Sequence, residues 1–237
     1  MIATLHHCTT CQSTDVIRNG KNTAGNPKFR CKTCGFSGVL QTKRKSAAEK
    51  ERVVAAYQER ASARGVGRIF GISHQTTLTW VKKKGRALGE LTTTLLRGKR
   101  RDILELDELW SFVWCKKCVR WVWIALCRRT RQVVAYFIGD RSGGSCRAFW
   151  ERIPAAYKRG VTFSDYWKTY QQVIKTGRHF SVGKESGETN HVERWNNTLR
   201  QRVGRFVRKT LSFSKSDEMH DLCLKLFLFE YNKTLTK

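Results

Sequence analysis

The chain has 237 residues, 40% of them hydrophobic, enough for one sizeable core plus one or two small modules, so a globular protein is expected and a disordered one is excluded. Forty-six Lys and Arg against nineteen Asp and Glu leave a formal net charge of +27, a field that attracts polyphosphate and points to a nucleic-acid partner. No run reaches the roughly 18 apolar residues of a membrane span and no basic-then-apolar leader precedes the first cysteine, so no membrane partner is expected and the nine cysteines are read as residing in a reducing cytoplasm.

In chain order, the first signal is Cys8-Thr9-Thr10-Cys11, followed after nineteen residues by Cys31-Lys32-Thr33-Cys34-Gly35. Two such pairs in a reducing compartment fit a four-thiolate site for one structural Zn²⁺ held by Cys8, Cys11, Cys31 and Cys34. His6 and His7 stand beside Cys8 as competing ligands. Gly35 suits the tight turn of a knuckle because it takes positive φ without a Cβ clash. About forty residues bury little apolar surface, so metal binding is expected to supply most of the folding free energy of this zinc-ribbon-like module, residues 1–42. Lys28, Arg30 and Lys32 are placed to touch phosphates.

Residues 43–86 read as a helix-turn-helix segment. Ser46 is a candidate N-cap for a helix over Ala47–Tyr57, in which Val53, Val54 and Tyr57 recur at helical spacing. Ala63–Phe70, Gly71-Ile72-Ser73 and His74–Lys84 then read as helix, tight turn and helix, with Ile69, Ile72, Leu78 and Val81 as the expected small core. His74, Gln75, Thr76 and Thr79 fall on the outer face at the start of the second helix, where a recognition helix meets base edges, and Lys82, Lys83 and Lys84 suit phosphates. Residues 87–102, polar and then basic without periodicity, read as a linker. Residues 1–100 carry twenty basic and five acidic side chains and residues 101–237 twenty-six and fourteen, so both halves are expected to touch nucleic acid.

The third region, 103–237, opens on Ile103–Trp114, ILELDELWSFVW. Leu104, Leu106, Trp110 and Phe112 alternate on one face and Glu105, Asp107 and Ser111 on the other, an amphipathic strand carrying a carboxylate where a packed core does not want one. Val119–Cys127 and Gln132–Ile138 complete three antiparallel strands, with Cys115-Lys116-Lys117-Cys118 as a reduced turn. Ser142–Ile153 reads as a helix ended by Pro154, and the strand from Gly160 delivers Asp165 at its end. From Asn190 a helix carries Val192, Leu199, Val203 and Phe206 on one face and Glu193, Asn197 and Arg200 on another. A last helix spans Ser212–Asn232, with His220 structural. Three carboxylates on separate elements of so basic a chain point to metal-dependent chemistry on an anion, a nucleic-acid phosphodiester.

The order β-β-β-α-β-α, with LDELWSFV around Asp107, FSDYW around Asp165 and HVERWNNTLRQRVGRFVRKTLSFSKS from His191, resembles the ribonuclease H-like fold of the DDE transposases. With the knuckles and helix-turn-helix ahead of it, nearly the whole chain resembles insertion sequence 1 family transposases. That resemblance implies an α/β catalytic domain with a mixed sheet and a DDE triad on Asp107, Asp165 and Glu193, separated by fifty-seven and twenty-seven residues. It places a basic residue, Arg200, seven after the glutamate. It also implies a bacterial or archaeal, nucleoid-associated enzyme that acts as a homodimer or higher oligomer on double-stranded DNA, terminal inverted repeats and target. Some members join the two parts by translational frameshifting, whereas here they are continuous.

Two Mg²⁺ (or Mn²⁺) ions held by Asp107, Asp165 and Glu193 would serve in-line strand cleavage and strand transfer, with Arg200 and Asn197 on the phosphate or flanking DNA. Glu105 and Glu108 stay open as alternatives within the first motif. The competing functions are a non-catalytic DNA-binding regulator and a ribonuclease H-like nuclease that needs no repeats.

Overall fold

The computed structural model describes residues 5–23, 25–40, 45–175 and 177–236, in two compact units, 1–47 and 48–237. The expected boundary between residues 42 and 43 lies outside the described residues. In the first unit β1 (Val16–Lys21), β2 (Pro27–Cys31) and β3 (Ser37–Gly38) form an antiparallel sheet in that order. Among its described residues only Cys8 and Cys31 are buried, so the unit has cysteines where a larger domain has an apolar core. Each Cys pair is followed by a residue of left-handed backbone, Gln12 at φ 60° and Gly35 at φ 72°. The amide of each donates back to the carbonyl of the first cysteine, Cys8 or Cys31.

The second unit begins with α1 (Ala47–Gln58), α2 (Ala63–Phe70) and α3 (His74–Ala87). Ser62 and Ser73 cap α2 and α3, each side chain accepting an amide three residues on, at 3.0 Å. Gly71 ends α2 at φ 62°. A side chain at Gly67 would bring its Cβ to 2.7 Å from the Ile72 carbonyl oxygen, so the turn closes only over glycine. Val53, Val54, Tyr57, Val66 and Val81 pack together with Cys223 and Leu226 of the last helix. Ile69, expected in that core, is 73% exposed, because the inward stripe of the eight-residue α2 runs through Val66 and Phe70, at i and i+4.

Residues 87–102 differ from the expected linker. α3 runs to Ala87, and a 3₁₀ turn over Leu91–Thr94 seats Leu91 in the main core. The buried Gln132 holds the stretch from both sides, accepting from the Leu96 amide and donating to the Thr94 carbonyl, both at 2.9 Å.

The main sheet has five strands, β4 (Ile103–Phe112), β5 (Val119–Cys127), β6 (Val133–Gly139), β7 (Val161–Ser164) and β8 (His179–Ser181), in the order β6-β5-β4-β7-β8. β4, β5 and β6 form an antiparallel meander, whereas β7 lies parallel to β4 and β8 parallel to β7. This is the mixed-sheet α/β architecture expected; the three-residue β8 was too short to show in the sequence. Helices α4 (Gly143–Arg152) and α6 (Lys168–Val173), with the short α5 (Ala155–Lys158) between them, cover the face of Leu104, Leu106, Trp123 and Ala125. Helices α7 (Asn190–Arg202) and α8 (Asp217–Thr234) cover the face of Leu109, Val122, Ile124 and Leu126. β4 is therefore not amphipathic with one wet side. As the central strand it is covered on both faces, and its acids lie within the layers.

Two helix ends also move. α7 stops at Arg202, and Val203 and Phe206 reach the core from the following 3₁₀ turn, while α8 starts at Asp217, capped by Ser216, and not at Ser212. His220 is fully buried, its ring nitrogens bonded to Ser111 (3.1 Å) and Ser214 (2.8 Å), the structural role expected of it. Among the described residues no helix is long and apolar enough to cross a membrane.

Candidate active site

The site follows from strand register. Ile103, Leu104 and Glu105 of β4 pair with Val161, Thr162 and Phe163 of β7, and the same offset sets Asp107 across from Asp165. β7 ends at Ser164, so its ladder with β4 stops just short of the two aspartates and a crevice opens at the carboxyl end of the shorter strand. Helix α7 lies over this point and contributes Glu193, Asn196, Asn197 and Arg200. With Asp107 and Asp165 these side chains line one cavity of about 870 Å³, joined on its far wall by Trp110, Trp121, Tyr166 and Trp167.

The acids near this crevice differ in how many of their lone pairs are used. Glu105 is fully buried and has every acceptor position filled: Oε1 takes the Arg128 guanidinium and the His191 ring, both at 2.7 Å, and Oε2 takes the amides of His191 (2.9 Å) and Val192 (3.0 Å). It is the N-terminal anchor of α7, where free amides and the helix dipole favour an anion. Burial raises its pKa, opposed by Arg128 and the Val192 amide. Glu108 points to the other face, bonded to Arg141 (2.8 Å) and the buried Tyr170 hydroxyl (2.9 Å), while Arg141 stacks on Trp121 and Trp167 at 4.5 and 3.9 Å.

Asp107 is different. Its Oδ1 accepts only the Glu108 amide (2.8 Å) and its Oδ2 only Asn196 Nδ2 (2.6 Å), leaving acceptor capacity on both oxygens. Burial, then Glu108, Asp165 and Glu193, push its pKa up to about 7. Asp165 accepts one amide, from Trp167 at 3.0 Å, and Glu193 one hydroxyl, from Thr189 at 3.1 Å. Arg200 approaches the Trp110 carbonyl at 3.5 Å, its pKa lowered by burial and then by Arg208, another wall residue.

Under-used carboxylate oxygens crowded around a cavity are the donor set of a hard divalent cation. Among the described residues only the four cysteines bring three or more ligand atoms within 4.8 Å of one another, so the carboxylates are spaced more widely than in a tight one-ion cage. Sequence reasoning missed Asn196, although its place three residues after Glu193 on a helix was the available signal. It also missed the aromatic wall and Arg208, whose positions follow from tertiary packing.

The four cysteines form a compact cluster, with Sγ to Sγ distances of 3.6 Å for Cys8 and Cys34 and 3.5 Å for Cys11 and Cys31. A tetrahedral zinc–thiolate site with bonds of about 2.3 Å implies separations near 3.8 Å, so the residues fit structural zinc. The Cys34 amide leads the influences that draw the Cys31 thiol down to about 6, toward the thiolate a metal needs. His6 packs tilted against Phe29 (ring centroids 4.7 Å) and His7 lies near the Gln12 carbonyl (3.5 Å), both outside the cluster. Cys115 and Cys118 lie 3.4 Å apart in an exposed turn, and no third ligand joins them among the described residues.

On α3, Gln75, Thr79 and Lys83 are exposed, while His74, Thr76, Lys82 and Lys84 are half-buried. The Thr76 hydroxyl bonds the Ser73 cap (2.9 Å), Lys82 pairs with Glu218 (2.7 Å) and Lys84 with Glu51 (2.8 Å). Such surface pairs contribute at most about 1 kcal/mol and leave both lysines available to a polyanion.

The model of the family described as IS1 transposase matches residues 102–233, and that of the InsA N-terminal domain, a zinc ribbon, matches residues 2–35. The chain is 37% identical to the InsB protein of insertion element iso-IS1n from Shigella dysenteriae over 126 residues, 53% of this chain and 93% of that one. It is 36% identical to the insertion element IS1 protein InsB from Shigella flexneri over 124 residues, covering 52% and 92%. The insertion element IS1 4 protein InsB from Escherichia coli K12 is 33% identical over 124 residues, covering 52% and 72%.

Proposed function

The chain belongs to the IS1 transposase family, and on that premise we propose that it binds the terminal inverted repeats of its element and catalyses Mg²⁺-dependent DNA strand cleavage and strand transfer. The observation that carries this reading is the contrast among the acids: of the four that line the cavity, Asp107, Asp165 and Glu193 accept few internal hydrogen bonds, while Glu108 takes Arg141 and Tyr170, and Glu105, outside it, has every position filled.

Two Mg²⁺ or Mn²⁺ ions would supply charge to the attacking and leaving oxygens of an in-line displacement. Asp107, with acceptor capacity on both oxygens, would hold the ions. Asp165 and Glu193 would hold them with it. Arg200 and Asn197, on the same stripe of α7, contact the scissile phosphate or the DNA beside it. A 3′ hydroxyl freed at the element end is then the nucleophile for target DNA. The α3 residues His74, Gln75, Thr76 and Thr79 read base edges, and Lys82, Lys83 and Lys84 hold phosphates. Two element ends must be handled together, so the active form is at least a dimer.

The test is cleavage and joining of inverted-repeat DNA in Mg²⁺ by wild type, Asp107→Asn, Asp165→Asn and Glu193→Gln. Loss of at least 10³-fold in each variant with repeat binding retained supports the reading. Wild type that binds the repeats and never cuts them is a regulator, and cutting independent of the repeats identifies a nuclease.

A further inference from the structure

We propose that Asn196 is a positioning residue of the carboxylate site, its Nδ2 fixing the Asp107 carboxylate and its Oδ1 accepting a hydrogen bond from water on a bound divalent ion. The inference rests on the reading of that site given above. Asn196 is only 7% exposed, yet it sits on the cavity wall one turn of α7 beyond Glu193. Its Nδ2 donates to Asp107 Oδ2 at 2.6 Å, while its Oδ1 is buried and has no hydrogen-bond partner among the described residues.

An amide acceptor buried in that way gives up its water and gains nothing in return, and native interiors rarely leave one unmatched. Turning the amide over does not help, because Oδ1 would then face the Asp107 carboxylate oxygen and the NH₂ would lose its acceptor. A residue needed only to fill space would be apolar here, as its neighbours Trp195 and Leu199 on the buried side of α7 are. Oδ1 is closed to water in this arrangement, so the asparagine satisfies its second group only when a small turn of the amide lets a donor reach it from the cavity. At a site of oxygen ligands for a hard cation, that donor is the cation's own water. The Asp107 end of the amide then does a different job: it holds Oδ2 while the Glu108 amide holds Oδ1, so the carboxylate is clamped at both oxygens with the remaining acceptor capacity of each left for ions.

Mn²⁺ binding to the full, zinc-loaded chain, followed by the electron paramagnetic resonance signal of free Mn²⁺, tests this without reference to turnover. The variants are Asn196→Leu, close in volume and apolar, and Asn196→Ala, which removes any question of fit, with Asp107→Asn as reference. The expected result is at least ten-fold weaker Mn²⁺ binding in both Asn196 variants, with a metal-free melting temperature no lower than wild type in Asn196→Leu because the orphaned acceptor is gone. Binding within two-fold of wild type in either Asn196 variant, while Asp107→Asn loses it, overturns the inference and leaves the carboxylate site standing. Equal binding by wild type and Asp107→Asn overturns the ion site itself, and the inference with it.

Discussion

The two compact units solve the same problem, holding charged or ionisable ligands in place, by opposite means. Among the described residues of 1–47 the four cysteine sulfurs converge on one point, and only Cys8 and Cys31 are buried. In residues 48–237 the core is apolar on both faces of β4, and the acids are set into it by hydrogen bonds that the protein supplies itself. On the proposed reading the first unit would depend on zinc to fold, whereas the second has its own apolar core and keeps its carboxylates crowded, with Asp107 held at about 7 by burial and its acidic neighbours. Metal as scaffold and metal as reagent thus differ in where the folding free energy comes from.

The comparison breaks most visibly if zinc is withdrawn. Cys31→Ser, or a strong chelator, should unfold the first unit alone, since structural zinc in such modules contributes about 10–16 kcal/mol. Amide exchange resolved by residue would show protection lost over 16–38 and kept over 103–127, and equal loss in both would erase the distinction.

Next in size is Glu105→Ala, expected to destabilise the second unit by about 3–5 kcal/mol, the usual cost of stranding a buried partner, here Arg128 and the first amides of α7. Urea denaturation measures it. The first unit should not respond.

His220 sharpens the point with pH. Burial, then Arg205, push its pKa to about 4, below the 6.5 of the unfolded chain, so the folded state refuses a proton that the unfolded state accepts. Stability is therefore complete above 6.5 and falls as pH drops toward 4, by up to about 1.4 kcal/mol per pH unit. Melting curves of wild type against His220→Gln should diverge in that window, with the flatter profile in the variant.

The last effect has the opposite sign. Asp107, raised to about 7, costs stability when ionised, so metal-free Asp107→Asn should melt a few degrees above wild type at pH 8. That advantage should shrink as pH falls through 7 toward 4.

What was legible in the sequence was local. The CxxC pairs and the Ser73 cap and Gly71 turn of the helix-turn-helix announce themselves within a few residues and fold as read, whereas the alternation in β4 finds the strand but not that both its faces are covered. Periodicity also found Glu193 and Arg200 on one stripe of α7. It could not separate Asp107 from Glu105, because both lie on one face of the same strand. That distinction rests on which donors α7 and Arg128 bring from eighty-six and twenty-three residues away. Ile69 and Asn196 failed for the same reason in reverse, since helical spacing says which residues share a face and not what the face meets. The expected linker failed because Leu91 joins the main core and Gln132 bonds Thr94 and Leu96 across the fold, contacts that no window of sequence contains.

The loss of that linker carries a consequence. Helix α3 packs on α8 at Gly85 and Leu222, Lys82 and Arg86 grip Glu218, and the Arg60 amide bonds the last carbonyl of α7 at 2.6 Å. The part proposed to read bases and the part proposed to cut phosphates are one solid body, with no swivel between them. Such a molecule acts as a ruler: the offset between recognised sequence and broken bond is a fixed length of the fold, and base pairs inserted between them in the DNA should abolish cutting instead of shifting it.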